Sequence, residues 1–161
     1  MDTAIKRKLA LAAGREALER GHELTLTTIG TSMLPLISQR DRITVIRCDA
    51  GELRCGNIII YQGSEDETCL IAHRIVCVKK MKGRYHFVIK GDTRWRCDKS
   101  ISRDAIVGKI VKIKKGEIVL FLEHGIGKII NVFFHILSVC GIMPLAFAVF
   151  FKVRRGLVRH G

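Results

Sequence analysis

The hydrophobic and polar positions change their period once, near residue 23, and that change divides the chain. From Thr3 to Arg20 the apolar residues Ile5, Leu9, Ala12, Ala13 and Leu18 recur at helical spacing, and Gly21 follows as a stop. This predicts an N-terminal helix within residues 1–22. From Glu23 onward the period falls to two. The runs ELTLTTI, RITVIR, GNIIIY, LIAHRIVCV, YHFVIKG and IVGKIVKIKKGEIVLFL are rich in β-branched residues and are separated by turn residues. MKGRY and KKGEI read as hairpin turns. No strand–helix–strand alternation, internal repeat or low-complexity stretch interrupts them. The pattern predicts a mainly β body over residues 23–123, a bent, barrel-like sheet closing on itself, with a helix before it and a hydrophobic helix after it.

The third segment, residues 124–161, contains Ile129 to Phe151, 23 residues without a formal charge. About 20 apolar residues suffice to cross a bilayer. Gly141 and Pro144 break this stretch, however, and Asn131, His135 and Ser138 dilute it. It therefore also suits a buried helix, or a segment that dips into one leaflet and returns. Lys152, Arg154, Arg155 and Arg159 follow as a basic collar suited to anionic lipid headgroups. The expectation is a membrane-associated protein with lipid as a partner, the interfacial or re-entrant form favoured over a full span. The side on which the β body lies is left open.

Composition narrows the classes. The chain has 161 residues, enough for one domain with a real core. Its formal net charge of +13 would suit nucleic acid, but the basic residues are spread along the whole sequence and aromatics make up only 6%. No nucleic-acid partner is expected. The six cysteines form no C-x-x-C pair and do not describe a disulfide scaffold; they are expected to be mostly small core residues. No metal site and no cofactor are expected. The N-terminus lacks the apolar core of a cleavable signal peptide.

Chemistry concentrates in three places. Ser32 lies in TIGTSMLPLI, where Gly30 permits close backbone approach and Pro35 prevents a strand or helix from running through. Such a turn can hold a hydroxyl at the rim of a sheet, with the Ser32 N–H free as an oxyanion donor. A serine alone attacks poorly and needs a base. His73 interrupts the apolar run LIAHRIV, and an ordinary imidazole titrates near pH 6.5, so it can serve as that base at neutral pH. KGDTRWRCDKSISRD supplies the acids Asp92, Asp98 and Asp104, any of which could orient an imidazole.

These pieces, in this order, resemble the type I signal peptidase family. GTSMLPLI resembles its Ser-Met-x-Pro box, GNIIIY the apolar strand that follows, AHRIV its general-base box, and FVIKGDTRWRCDKSISRDAIVGKIV its final Lys-Gly-Asp box. The likeness runs from about Thr28 to Val111. Bacterial leader peptidases usually have lysine at the place of His73; histidine is typical of the endoplasmic-reticulum, archaeal and sporulation-type branch. The resemblance implies Ser32 as nucleophile, His73 as general base, and Asp92 or Asp98 as the acid beside His73. It further implies a serine endopeptidase that cleaves after small residues in an extended precursor segment. Arg40-Asp41 and Gly56-Asn57 depart from the family's Gly-Asp pairs, and the hydrophobic segment lies at the C-terminal rather than the N-terminal side.

Between the two acids, Asp92 is slightly favoured, because it ends the run YHFVIKG, which should pair with the His73 strand. Two alternatives stand beside the peptidase. One is a self-cleaving protein of the LexA type, for which Ala13-Gly14 offers a bond of the right kind. The other is an accessory protein with the same fold and no activity.

Overall fold

The helix anticipated at the N-terminus forms as α1, Thr3–Glu19. It stops where Gly21 takes a positive φ of 84°. The His22 N–H then reaches the Ala17 carbonyl and the Gly21 N–H the Leu18 carbonyl, both at 3.0 Å, so the last turn's carbonyls are capped by the backbone itself. The structure is a computed structural model and describes residues 3–63, 69–98, 100–146 and 148.

Each period-two run becomes a strand: β1 Leu24–Thr27, β2 Arg42–Ile46, β3 Ile58–Gln62, β4 Leu70–Met81 and β5 Arg84–Lys90. The last run splits at Gly116 into β7 Ile106–Lys115 and β8 Ile118–Phe121. The short β6, Ile101–Ser102, was not expected; a 3₁₀ turn, Arg103–Ala105, joins it to β7. The β4–β5 hairpin turns through Lys82 and Gly83, both at positive φ, as a tight two-residue connection demands.

All pairings are antiparallel, in the order β1-β2-β7-β3-β4-β5-β6, with β8 added to β7. The long strand β7 has β2 on one edge, while β3 and β8 share the other. The sheet is open, which corrects the expectation of a barrel closing on itself. Register shifts at Thr44/Val45, Ile60/Tyr61 and Ile75/Cys77 bend the strands. The ends nevertheless do not meet: β1 pairs only with β2, and the terminal β6 has only two residues to offer.

Both faces of the sheet are covered. Ile58 and Ile60 of β3 join one cluster with Leu18, Met33, Leu36 and Ile113; Ile59 and Tyr61 join another with Leu53, Ile75, Phe87 and Ile89. Burial on both sides explains why β3 reads as a continuous apolar run rather than an alternating one.

The C-terminal helix α2, Gly125–Val139, differs from the expectation in length and orientation. It ends before Gly141, which has φ 73°, and residues 142–146 start a new helical turn. Among the described residues no helix is long and apolar enough to cross a membrane, and the break at Gly141 interrupts the apolar stretch that starts at Ile129. Part of that stretch, and the basic residues Lys152 to Arg159, lie outside the described residues. Two polar residues of α2, Asn131 and Ser138, are buried against the body, whereas Ile126, Ile129, Val132, Phe133, Ile136 and Val139 are exposed. The cysteines also depart from expectation. All six are free and only Cys48 is buried, while Cys55, Cys69, Cys97 and Cys140 are exposed.

Candidate active site

Ser32 sits in the turn between β1 and β2, and the residues after it act as its anchor. Met33, Leu36 and Ile37 are buried in the core, pulling that side of the turn down and leaving Ser32 half-buried at the rim. The turn's base is tied by hydrogen bonds. The Thr28 hydroxyl donates to the Asp41 carbonyl at 3.1 Å, and the Asp41 carboxylate accepts the Ser38 N–H at 2.7 Å and the Lys115 ammonium at 2.6 Å. Among the described residues no protein acceptor takes the Ser32 N–H.

His73 lies in β4 opposite Ile59 and is only 4% exposed. Its Nε2 is 3.2 Å from Ser32 Oγ. Its Nδ1 bonds to the Asp98 carboxylate. A carboxylate can only accept, so the proton is assigned to Nδ1, and Nε2 offers its lone pair to the serine hydroxyl. The Tyr61 hydroxyl donates to the same Asp98 oxygen at 3.4 Å. Burial lowers the His73 pKa; the Asp98 carboxylate pulls it up, but burial, aided by the charge of Arg94, prevails. The imidazole is therefore neutral at pH 7, as a base must be. Burial and the neighbouring Asp98 raise the Tyr61 phenol far above its ordinary range, so it stays a donor.

Asp92 is placed elsewhere. Its carboxylate accepts from Arg74 Nε at 2.8 Å and from Nη2 at 2.7 Å, and both residues are fully buried. The preference for Asp92 as partner of His73 is thereby corrected, and a single residue explains it. Counted from the hairpin tip, where Met81 faces Arg84, an unbroken register would set Asp92 opposite His73. The bulge at Ile75/Cys77 shifts the pairing so that Arg74 faces Lys90. Gly91 then falls opposite His73, and Asp92 turns to the face of Arg74. Asp98 reaches His73 because the loop folds back, its N–H bonding to the Ile89 carbonyl at 2.8 Å. Asp104 lies in the 3₁₀ turn after β6, exposed and away from this cluster.

Three site residues carried no role in the sequence reading. Thr93 clamps the Ser32 carbonyl with its N–H at 3.0 Å and its hydroxyl at 3.2 Å. Gly91 leaves room for the Ser32–His73 pair: a Cβ there would lie 2.9 Å from His73 Nε2 and 3.0 Å from Ser32 Cβ. Tyr61 was visible only as the polar tip of an apolar strand.

Behind the site is a second polar cluster. Arg74 Nη1 donates to the Gly56 carbonyl at 3.0 Å and to Asn131 Oδ1 at 2.5 Å. Buried Lys90 donates to the Ser138 carbonyl in the last turn of α2, where the helix dipole favours a cation. Among the described residues no group of three or more His, Cys, Asp or Glu side chains could hold a metal ion. No protein-family model and no curated protein matches the chain.

Proposed function

We propose that the chain is a serine endopeptidase of the signal peptidase I type, acting on an extended precursor segment after a small residue. The observation that carries this reading is the continuous line from Ser32 Oγ through both nitrogens of His73 to Asp98. In the first step Ser32 Oγ attacks the scissile carbonyl while its proton passes to His73 Nε2. The Ser32 N–H donates to the oxyanion, and Asp98 stabilises the imidazolium. The imidazolium then protonates the leaving amine. Water, deprotonated by His73, hydrolyses the acyl-enzyme and restores the serine. The chemistry calls for no cofactor.

The self-cleaving alternative is less well supported. Ala13 and Gly14 lie inside α1, with hydrogen-bonded helical backbone, and a Cβ on Gly14 would be 3.0 Å from Leu24 Cδ1. A peptidase needs its scissile bond extended. Reaction with a fluorophosphonate probe separates the remaining readings. Labelling of the wild type but not of Ser32→Ala, with cleavage of an Ala-x-Ala peptide lost in the same variant, is the expected result. Equal labelling of both, or undiminished cleavage by Ser32→Ala, removes the assignment.

Membrane association belongs to the same proposal, in an interfacial form. The inverted helix α2 supports it: Asn131 bonded inward to Arg74, the Ser138 carbonyl bonded to Lys90, and six large apolar side chains turned outward suit an apolar medium on the outer side. The full chain should sediment with phosphatidylcholine vesicles containing phosphatidylglycerol, and Ile129→Asp with Phe133→Asp should release it. A double variant that sediments unchanged, or a wild type that dimerises through α2 without binding vesicles, counts against lipid as the partner.

A further inference from the structure

The loop from Asp92 to Asp98 is held at both ends by the catalytic residues themselves. Thr93 is bonded to the Ser32 carbonyl, the Arg94 N–H bonds the Gly91 carbonyl at 2.9 Å, and Asp98 is bonded to His73. Arg94, Trp95 and Arg96 are thus displayed on a pinned loop at the mouth of the site. All three are exposed, Trp95 by 61%. The stem of Arg94 lies beside Gly91, near the Ser32–His73 pair: the Cβ position of Gly91 that is 3.0 Å from Ser32 Cβ is also 3.0 Å from Arg94 Cγ.

The loop's own acids are taken up elsewhere, Asp92 by Arg74 and Asp98 by His73. Among the described residues neither Arg94 nor Arg96 has an acidic partner. A guanidinium is a planar fork of donors that matches a carboxylate, and it stays charged at every relevant pH. A substrate threaded past Ser32 therefore meets an arginine whose backbone is pinned beside the site and which has no acidic partner among the described residues.

We propose that Arg94 is a specificity-determining residue that receives the side-chain carboxylate of an aspartate or glutamate near the scissile bond, with Arg96 adding to the field. The inference rests on the peptidase reading and deepens it: the substrate is an extended peptide with a small residue at the cut and an acidic residue close by. A peptide carboxylate is favoured over a lipid phosphate because the stem of Arg94 packs on Gly91, beside the reacting atoms, and because its charge is felt at His73.

The test uses the full chain in detergent and Ala-x-Ala peptides carrying Glu, Gln or Lys at each of three positions on either side of the cut. The readout is the ratio of kcat/KM between peptides within each enzyme, so a general loss of activity in a variant cancels. In the wild type Glu should exceed Gln by about fivefold at one or more positions, the upper range for a solvent-accessible ion pair. Arg94→Ala should bring that ratio to about one, and Arg94→Glu should favour Lys. A wild type that cuts Glu and Gln peptides equally overturns the inference while leaving the peptidase reading intact. So does a ratio unchanged in Arg94→Ala, or a loss of vesicle binding in Arg94→Ala without any change in ratio. If no peptide is cut and the probe labels no serine, the peptidase reading falls and this inference falls with it.

Discussion

His73 and Arg74 are neighbours in β4 that point to opposite faces of the sheet, and each holds one carboxylate of the same loop. Asp98 goes to His73 and Asp92 to Arg74. The two contacts, a hydrogen bond to a neutral imidazole and a buried ion pair, share strand and loop but differ in consequence, because one borders the open site and the other is sealed behind it.

Exchanging the acids one at a time should separate those roles. Asp98→Asn keeps the shape of the side chain but no longer holds the Nδ1 proton in place, so peptide turnover should fall by about 10³-fold or more with little change in stability. Asp92→Asn leaves the Arg74 guanidinium buried without a countercharge, which should cost about 3–5 kcal/mol in denaturant unfolding. An Asp92→Asn protein of wild-type stability and no activity would contradict this division.

Gly91→Ala should be inactive and folded. The added methyl would stand 2.9 Å from His73 Nε2 and 3.0 Å from Ser32 Cβ, so the two side chains must separate. Gly91 does not have a positive φ, and the backbone tolerates alanine. Turnover and thermal melting measured together test the point: an active Gly91→Ala would mean that Ser32 and His73 do not work as a pair.

The pH dependence has a definite sign. His73 binds a proton more weakly in the fold than in the unfolded chain, where its pKa is about 6.5. Its contribution to stability is therefore fully present above about pH 6.5 and declines as the pH falls below that value. His135, lowered by burial and by Arg74, acts in the same direction. The kcat/KM profile should rise with an apparent pKa below 6.5 and be flat from about pH 7 to 8. A rise only above about pH 9 would point to a lysine base. His135→Gln should weaken the acid loss of stability without moving the activity midpoint.

Asn131→Leu tests how α2 is attached. The variant fits a buried site but removes the acceptor of Arg74 Nη1, and should cost about 1–3 kcal/mol. A variant as stable as the wild type would mean that the apolar contacts of Ile130 and Phe134 and the Lys90 bond to Ser138 hold the helix without Asn131.

Much of the fold could be read from hydrophobic periodicity. α1 ends within a residue of its expected end, and every long period-two run became a strand, because those signals are local. Closure of the sheet could not be read, since it depends on which strands end at its edges. Ser32 and His73 stood out as polar residues where the pattern called for a turn and an apolar strand. The choice between Asp92 and Asp98 depends on one bulged residue near Val76, in a run of β-branched side chains where any register looks equally good. Tyr61, Gly91 and Thr93 act through geometry, and no residue-level signal marked them. The apolar stretch after Lys128 was visible as composition, but not that its polar minority faces inward, because that requires Arg74 and Lys90 from other strands.

The exposed tip of the β4–β5 hairpin at Lys82 and Gly83 divides the chain between its chemical parts. On the proposed mechanism the nucleophile Ser32 and the base His73 lie on the segment before it, and the orienting acid Asp98 on the segment after it. A chain cut at that tip would give two inert fragments, each lacking what the other holds. The β4–β5 ladder, from Arg74 opposite Lys90 to Met81 opposite Arg84, and the pairing of β7 with β2 and β3 would let the fragments recognise one another. Turnover regained on mixing would make this hairpin the seam of a split enzyme, with catalysis reporting the meeting of whatever is fused to the two halves.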